Sequence, residues 1–224
     1  MRKLTVWQNV DFEGPSVILN WARCMKFEVD IVKAYEDEEL RSEDLLVILG
    51  GPMSVDDNIG FLENEKIAIS KHIAKGGKVF GICLGAQLVA SVLGGRVYKG
   101  EHREAGWRSV DFEQNGVFSA LPPSAMVFHW HGDTFDLPAN VTRFASNEAY
   151  ANQAFYSHGG KVVGVQFHME FTESSIEFLL ISDGDYLEVD SPFVAESESI
   201  QSDSIYVKGA NKLMFDMLDK WIEV

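Results

Sequence analysis

Cys83 stands between two glycines in GICLG (Gly81–Gly85), where the apolar run KVFGI meets LGAQLVASVLGG, a segment of helical spacing. A reactive side chain with glycine two residues to either side, at a strand-to-helix turn, has the spacing of a nucleophile elbow. The sharp reversal strains the backbone at the central residue, and the flanking positions must lack bulk for the two segments to approach. The sulfur then projects above the sheet at a helix N-terminus. There the free N–H groups and the helix dipole favour thiolate and lower a pKa that starts near ~8.5. Cys24, at helical spacing from Val17, reads instead as a small buried hydrophobe.

A thiol nucleophile needs a base, and the base needs a group to orient it. His168 ends the apolar run KVVGVQFHME, and Glu170 follows two residues later, so in extended backbone both side chains point to one side. The carboxylate can then hold one ring nitrogen while the other faces the sulfur. His72, His102 and His158 lie in an amphipathic helix or beside turns and read as solvated or structural. An oxyanion formed by attack at Cys83 needs N–H donors. The Leu84 N–H supplies one, and VILGGPMSV offers a second at Gly51, where Gly50 and Gly51 let the backbone turn inward and Pro52 stiffens the residues after it.

These residues have to be placed by strands and helices. LTVWQNV, FEVDIVKAY, DLLVILGG and KVFGI read as strands. Between them lie helical patterns: Val17, Trp21, Cys24 and Met25 in the first, then Leu62, Ile69 and Ile73 in a helix stopped by Gly76–Gly77. This alternation predicts an α/β fold with a three-layer, doubly wound, mostly parallel sheet. After Gly95 the pattern shifts to shorter strands (RSVDF, AMVFHW, TRFASN, QAFYSHG) that either extend the sheet or form an antiparallel flap. Asp183–Ser204 is acidic and serine-rich and reads as a loop or mobile lid. A last helix carries Met214, Met217, Leu218 and Trp221 on one face. With no internal repeat and no clear linker, residues 1–224 read as one domain.

Acidic residues outnumber basic ones 34 to 19, a formal charge of −15, which disfavours nucleic acid and anionic membranes as partners. No apolar run reaches the length of a membrane span. Two cysteines make no disulfide framework, so a reducing cytoplasm is the expected compartment.

GGP at 50–52, GICLGAQ at 81–87 and QFHME at 166–170, in that order, resemble the class I, triad-type glutamine amidotransferases. FHWHGDTFDLP (128–138), AGW (105–107) and the long C-terminal tail are most similar to stand-alone, GMP synthase-like members. The resemblance implies a flavodoxin-like fold and attack by Cys83 on the side-chain amide of L-glutamine. Gly51 and Leu84 would hold the oxyanion. His168 would protonate departing ammonia and then activate water against the γ-glutamyl thioester, and Glu170 would fix its tautomer. Gln87, one helical turn past Cys83, and the segment His131-Gly132-Asp133 would line the glutamine pocket, beside Gly50 and Pro52. Met169 departs from the family pattern, since many members have proline there. Without a phosphate loop or room for a second catalytic domain, ammonia would pass to a separate synthetase partner.

Other readings share the same residues. His129, His131 and Asp133 alternate, so an extended backbone would aim them one way, as metal ligands. Because Gly132-Asp133 reads as a turn and the cysteine chemistry needs no metal, no metal and no cofactor are expected. A γ-glutamyl peptide or conjugate hydrolase would use the same triad with a different leaving-group pocket, shaped by the segments 53–60, 99–108 and 183–205. An α/β-hydrolase fits poorly, because there the acid precedes the histidine. A non-catalytic binding or regulatory protein would be expected to lose the cysteine, the histidine or the glutamate, and all three are present.

Overall fold

The computed structural model describes residues 2–36 and 39–224. The apolar runs of the first half become β1 (Lys3–Gln8), β2 (Glu28–Lys33), β3 (Leu45–Ile48) and β4 (Lys78–Ile82). The helices between them are α1 (Val17–Cys24), α2 (Gly60–Ala74) and, after β4, α3 (Leu84–Val92). β5 (Val97–Phe112), β6 (Ser124–Phe135), β7 (Thr142–Ser146), β8 (Ala154–Ser157) and β9 (Val162–Val165) follow, then α4 (Glu173–Asp183), α5 (Ser197–Ser202) and α6 (Val207–Glu223). Among the described residues the strands join one sheet of nine in the order β2-β1-β3-β4-β9-β8-β7-β5-β6. From β2 to β9 neighbours run parallel, and from β9 to β6 they run antiparallel. The strands after Gly95 therefore extend the sheet.

The side-chain period of two sorts each central strand between two cores. Leu45 and Val47 of β3 pack with Trp21 of α1 and Trp221 of α6, whereas Leu46 and Ile48 pack with Leu62 and Ile69 of α2 and Leu88 of α3. The sheet is thus the middle of three layers. Its topology brings the carboxyl ends of β1, β3, β4 and β9 side by side, and the register pairs Ile82 of β4 with Val165 of β9. Cys83 and the Gln166–Glu170 segment emerge next to each other.

Four details differ from the sequence expectations. Gly132-Asp133 is no turn, because β6 runs straight through it, and the irregularity lies opposite, where β5 shifts register between Lys99 and Glu104. The Tyr150 hydroxyl pins that bulge, accepting from the His102 N–H at 2.8 Å and donating to the His102 carbonyl. The bulge also hides β5's length, which is 16 residues. Cys24 is exposed. It ends α1 after the buried Trp21 and Ala22, where the chain turns away through Lys26 (φ 59°).

The acidic segment after Asp183 is a packed strap. Val194 bridges to Ala105, the Phe193 carbonyl accepts from the Ala105 N–H at 3.0 Å, and Ile200 is buried. Among the described residues no helix is long and apolar enough to cross a membrane.

Candidate active site

The turn from β4 to α3 places Cys83 at φ 50°, ψ −109°, a strained conformation for a residue with a Cβ. Both flanking glycines are needed there. A Cβ on Gly81 would lie 2.5 Å from the Gly85 carbonyl oxygen, and one on Gly85 would run into the Ile48 carbonyl of β3. The turn is closed by the Cys83 N–H, which donates to the Val165 carbonyl at 2.9 Å, and the Leu84 N–H lies against the sulfur.

His168 lies beyond the end of β9, held by reciprocal hydrogen bonds with Phe128 of β6 (2.7 and 3.1 Å). Its ring stacks on Phe171 at 4.3 Å. Nδ1–H donates to Glu170 Oε1 at 2.6 Å, which leaves Nε2 as the nitrogen free to act on Cys83, whose sulfur and this imidazole shift one another's ionisation. Glu170 is fixed in turn by the Met169 N–H, which donates to Oε2 at 2.9 Å. Proline has no such donor, so methionine here adds a hydrogen bond where the sequence suggested only a looser backbone. Asn211 of α6 clamps this turn by donating to the carbonyls of Met169 (2.7 Å) and Phe171 (2.8 Å). From the other side, the Val17 N–H of α1 donates to the Glu170 carbonyl at 3.1 Å.

Cys83 opens into a cavity of about 380 Å³ that Gly51, Pro52, Gln87, His131 and Gly132 also line. Leu84, His168 and Glu170 lie behind its wall, and so does Gly50, where a Cβ would collide with the Glu13 carboxylate. Gln87 donates from Nε2 to Gln166 Oε1 at 3.2 Å, and Gln166 donates from its own Nε2 to the sulfur at 3.6 Å. The far wall is the β5 bulge (Lys99–Arg103) and the strap, through Asp183, Tyr186 and Asp190. Trp130 stacks on Tyr186 at 5.0 Å, its Nε1–H donates to Asp183 at 2.9 Å, and its carbonyl accepts from the Cys83 thiol at 3.7 Å.

The sequence reading missed Glu13, Gln166, Trp130 and Tyr186. Glu13 is buried, lines the cavity, and has an oxygen, Oε2, with no hydrogen-bond partner. Its only local signal is a carboxylate beside a Gly-Pro turn, which is common on surfaces.

Burial dominates the electrostatics. It pushes the Cys83 thiol above its ordinary value, against the opposing pull of His168 and of the Leu84 N–H, so the helix N-terminus alone does not make a resting thiolate. Burial would depress His168, but the Glu170 carboxylate and the Cys83 sulfur outweigh it and raise the imidazole well above its usual range. Glu13 is raised to about 7 by burial, with His168 opposing. Chemically, the arrangement can pass a proton between a buried sulfur and a buried imidazole, and it can stabilise the imidazolium while a thioester forms and breaks.

Residues 10–183 match the profile of the family described as glutamine amidotransferase class-I. Over 166 residues the chain is 30% identical to one subunit, the A subunit, of the glutamine-hydrolysing GMP synthase of Picrophilus torridus, covering 72% of this chain and 87% of that one. It is 29% identical over 182 residues to the glutamine amidotransferase-like protein YfeJ of Salmonella typhimurium, covering 75% and 76%. A crystal structure of a glutamine amidotransferase from Thermotoga maritima superposes with a TM-score of 0.89 at 30% identity, covering 100% of this chain and 99% of that one.

Proposed function

Starting from a chain that belongs to the class I glutamine amidotransferases, we propose that it hydrolyses the side-chain amide of L-glutamine through a Cys83 γ-glutamyl thioester. The observation that carries this is the elbow cysteine facing an imidazole whose far nitrogen is anchored to Glu170 at 2.6 Å. His168 Nε2 takes the thiol proton as sulfur attacks the amide carbon, and the N–H groups of Leu84 and Gly51 receive the oxyanion. His168 returns the proton to the leaving nitrogen, and ammonia departs. Water attacks the thioester with His168 as base, glutamate leaves, and the thiol is restored. Glu170 stays ionised and stabilises the imidazolium at each stage. Gln87 and the wall at His131-Gly132 position the substrate.

The ammonia acceptor belongs to a separate synthetase, as in relatives divided into subunits such as the GMP synthase of Picrophilus torridus. One observation favours a second reading, a γ-glutamyl peptide or conjugate hydrolase. The cavity of about 380 Å³ extends past Cys83 to the bulge and the strap, which leaves room for a departing group larger than ammonia.

Ammonia and glutamate release from L-glutamine, and from a γ-glutamyl dipeptide in parallel, separates the readings. Glutamine turnover lost by roughly 10³-fold or more in Cys83→Ala is the expected result. Preference for the dipeptide would transfer the proposal to the hydrolase. Turnover of glutamine unaffected by Cys83→Ala would refute the thioester route.

A further inference from the structure

On β5 and β6, in the wall through which His131 reaches the cavity, three side chains converge: Glu104, His129 and His131. All three are buried, at 0%, 0% and 3% exposure. One ligand atom from each lies within 4.8 Å of the other two. Glu104 Oε2 is 3.0 Å from His131 Nε2 and 3.7 Å from His129 Nδ1. Those separations bracket the roughly 3.3–3.5 Å edge of a tetrahedron whose bonds are ~2.0–2.2 Å, as for imidazole nitrogen and carboxylate oxygen around zinc.

Several buried polar atoms of this cluster have no hydrogen-bond partner. His131 Nδ1–H donates to the Asp133 carbonyl at 3.0 Å, which fixes its tautomer and turns the Nε2 lone pair inward. With the proton on Nδ1, that nitrogen presents a lone pair 3.0 Å from a carboxylate oxygen, two acceptors with no proton between them. Both nitrogens of His129 are also without a partner. Glu104 is held from outside by Asn147 Nδ2 at 2.7 Å and Gln153 Nε2 at 2.6 Å, the kind of outer hydrogen bonding that orients a ligating carboxylate. Asp133, the third ligand in the sequence pattern, is instead engaged by Ser54, which donates to it at 2.7 Å.

The geometry points to a binding site for one divalent transition ion of the zinc type, held by Glu104 Oε2, His129 Nδ1 and His131 Nε2, with a further position for water. The ion would tie β5, just where it re-enters register after the bulge, to β6. Since His131 also lines the cavity, the same ion would stiffen the wall that faces the substrate.

The test uses the full chain without thiols (Cys24→Ser with Cys83→Ala), stripped of metal by chelation, so that neither sulfur can capture the ion. Titrated with Co²⁺, it is expected to bind one equivalent. The visible bands should be those of nitrogen and oxygen ligands without sulfur charge transfer, with two histidine imidazoles paramagnetically shifted. Zn²⁺ should displace the cobalt and raise the midpoint of thermal unfolding. His129→Ala and Glu104→Gln, made in the same chain, should lower the affinity at least about 10-fold. No stoichiometric Co²⁺ binding, fewer than two shifted imidazoles, or binding unchanged in His129→Ala would overturn the site. The imidazole count needs no further substitution, so it decides the matter even if His129→Ala fails to fold.

Discussion

Glu13 reaches the nucleophile from the loop after β1, and burial raises its carboxyl to a pKa of about 7, with His168 opposing that shift and Glu170 and Asp183 adding to it. As pH rises through that value a negative charge appears beside Cys83, where it opposes thiolate formation. Glu13→Gln removes the titration. The limb of the kcat/KM profile that reports thiol ionisation should move to lower pH in this variant. An unmoved profile would mean that Glu13 does not sense the thiol. Local sequence could reveal only part of this site. Cys83, His168 and Glu170 were legible because their signals, glycines at ±2 and a carboxylate at i+2, lie within a few residues. Glu13 and Glu104 reach their neighbours only through the pairing of strands distant in the chain, and nothing local announces them, whereas Gln166 stood inside QFHME without any sign of its contact with the sulfur.

At the level of the element, α2 carries a cost. Glu65 is buried at 0% exposure, neither of its oxygens has a hydrogen-bond partner, and burial raises its pKa from 4.5 to about 8. Folding thus makes this carboxyl bind its proton more tightly than the unfolded chain does. The stabilisation that proton brings is complete below about 4.5 and is lost as pH rises through about 8. Across that window the slope from a single group is at most roughly 1–2 kcal/mol per pH unit. Glu65→Leu should be more stable than the parent, by a larger margin at pH 8 than at pH 5, when urea unfolding is compared at the two values. Equal margins would show that Glu65 is solvated in the native protein. The hydrophobic pattern identified α2 without difficulty, but it could not tell that a glutamate shared the inward face with Leu62 and Ile69. For β5 the difficulty was reversed. The bulge at Gly100–Arg103 breaks the alternation by which a strand of that length would be recognised.

At the scale of the whole molecule, the strap from Asp183 to Tyr206 roofs the cavity and rests on β5 through Arg103 and Arg108. Arg103 lies 3.9 Å over the Tyr186 ring and donates to the Tyr186 carbonyl at 2.6 Å, while Arg108 donates to the carbonyls of Pro192 and Phe193. A cation over an aromatic ring and a charged hydrogen bond are each worth about 1–3 kcal/mol when shielded from water. Arg103→Ala should therefore raise the glutamine KM by roughly 10-fold, with faster proteolytic cleavage between residues 184 and 206 and little change in thermal unfolding. A KM change without faster cleavage would assign Arg103 to direct contact with substrate. Composition pointed to a loop here because acids and serines dominate it. The few apolar residues that dock it, Val194 and Ile200 among them, are too sparse to form a pattern.

The clamp from Asn211 bears on the order in which the protein becomes competent. During synthesis from the amino terminus, the elbow, the imidazole and its carboxylate all leave the ribosome before α6 does. The turn that carries His168 and Glu170 is gripped by that last helix, through Asn211 on the Met169 and Phe171 carbonyls, and α6 also anchors β9's approach where Trp221 Nε1–H donates to the Lys161 carbonyl at 2.9 Å. A chain emerging in that order carries the His168–Glu170 turn without this clamp until α6 docks. The fit of the imidazole and its carboxylate is thereby mechanically coupled to the docking of α6.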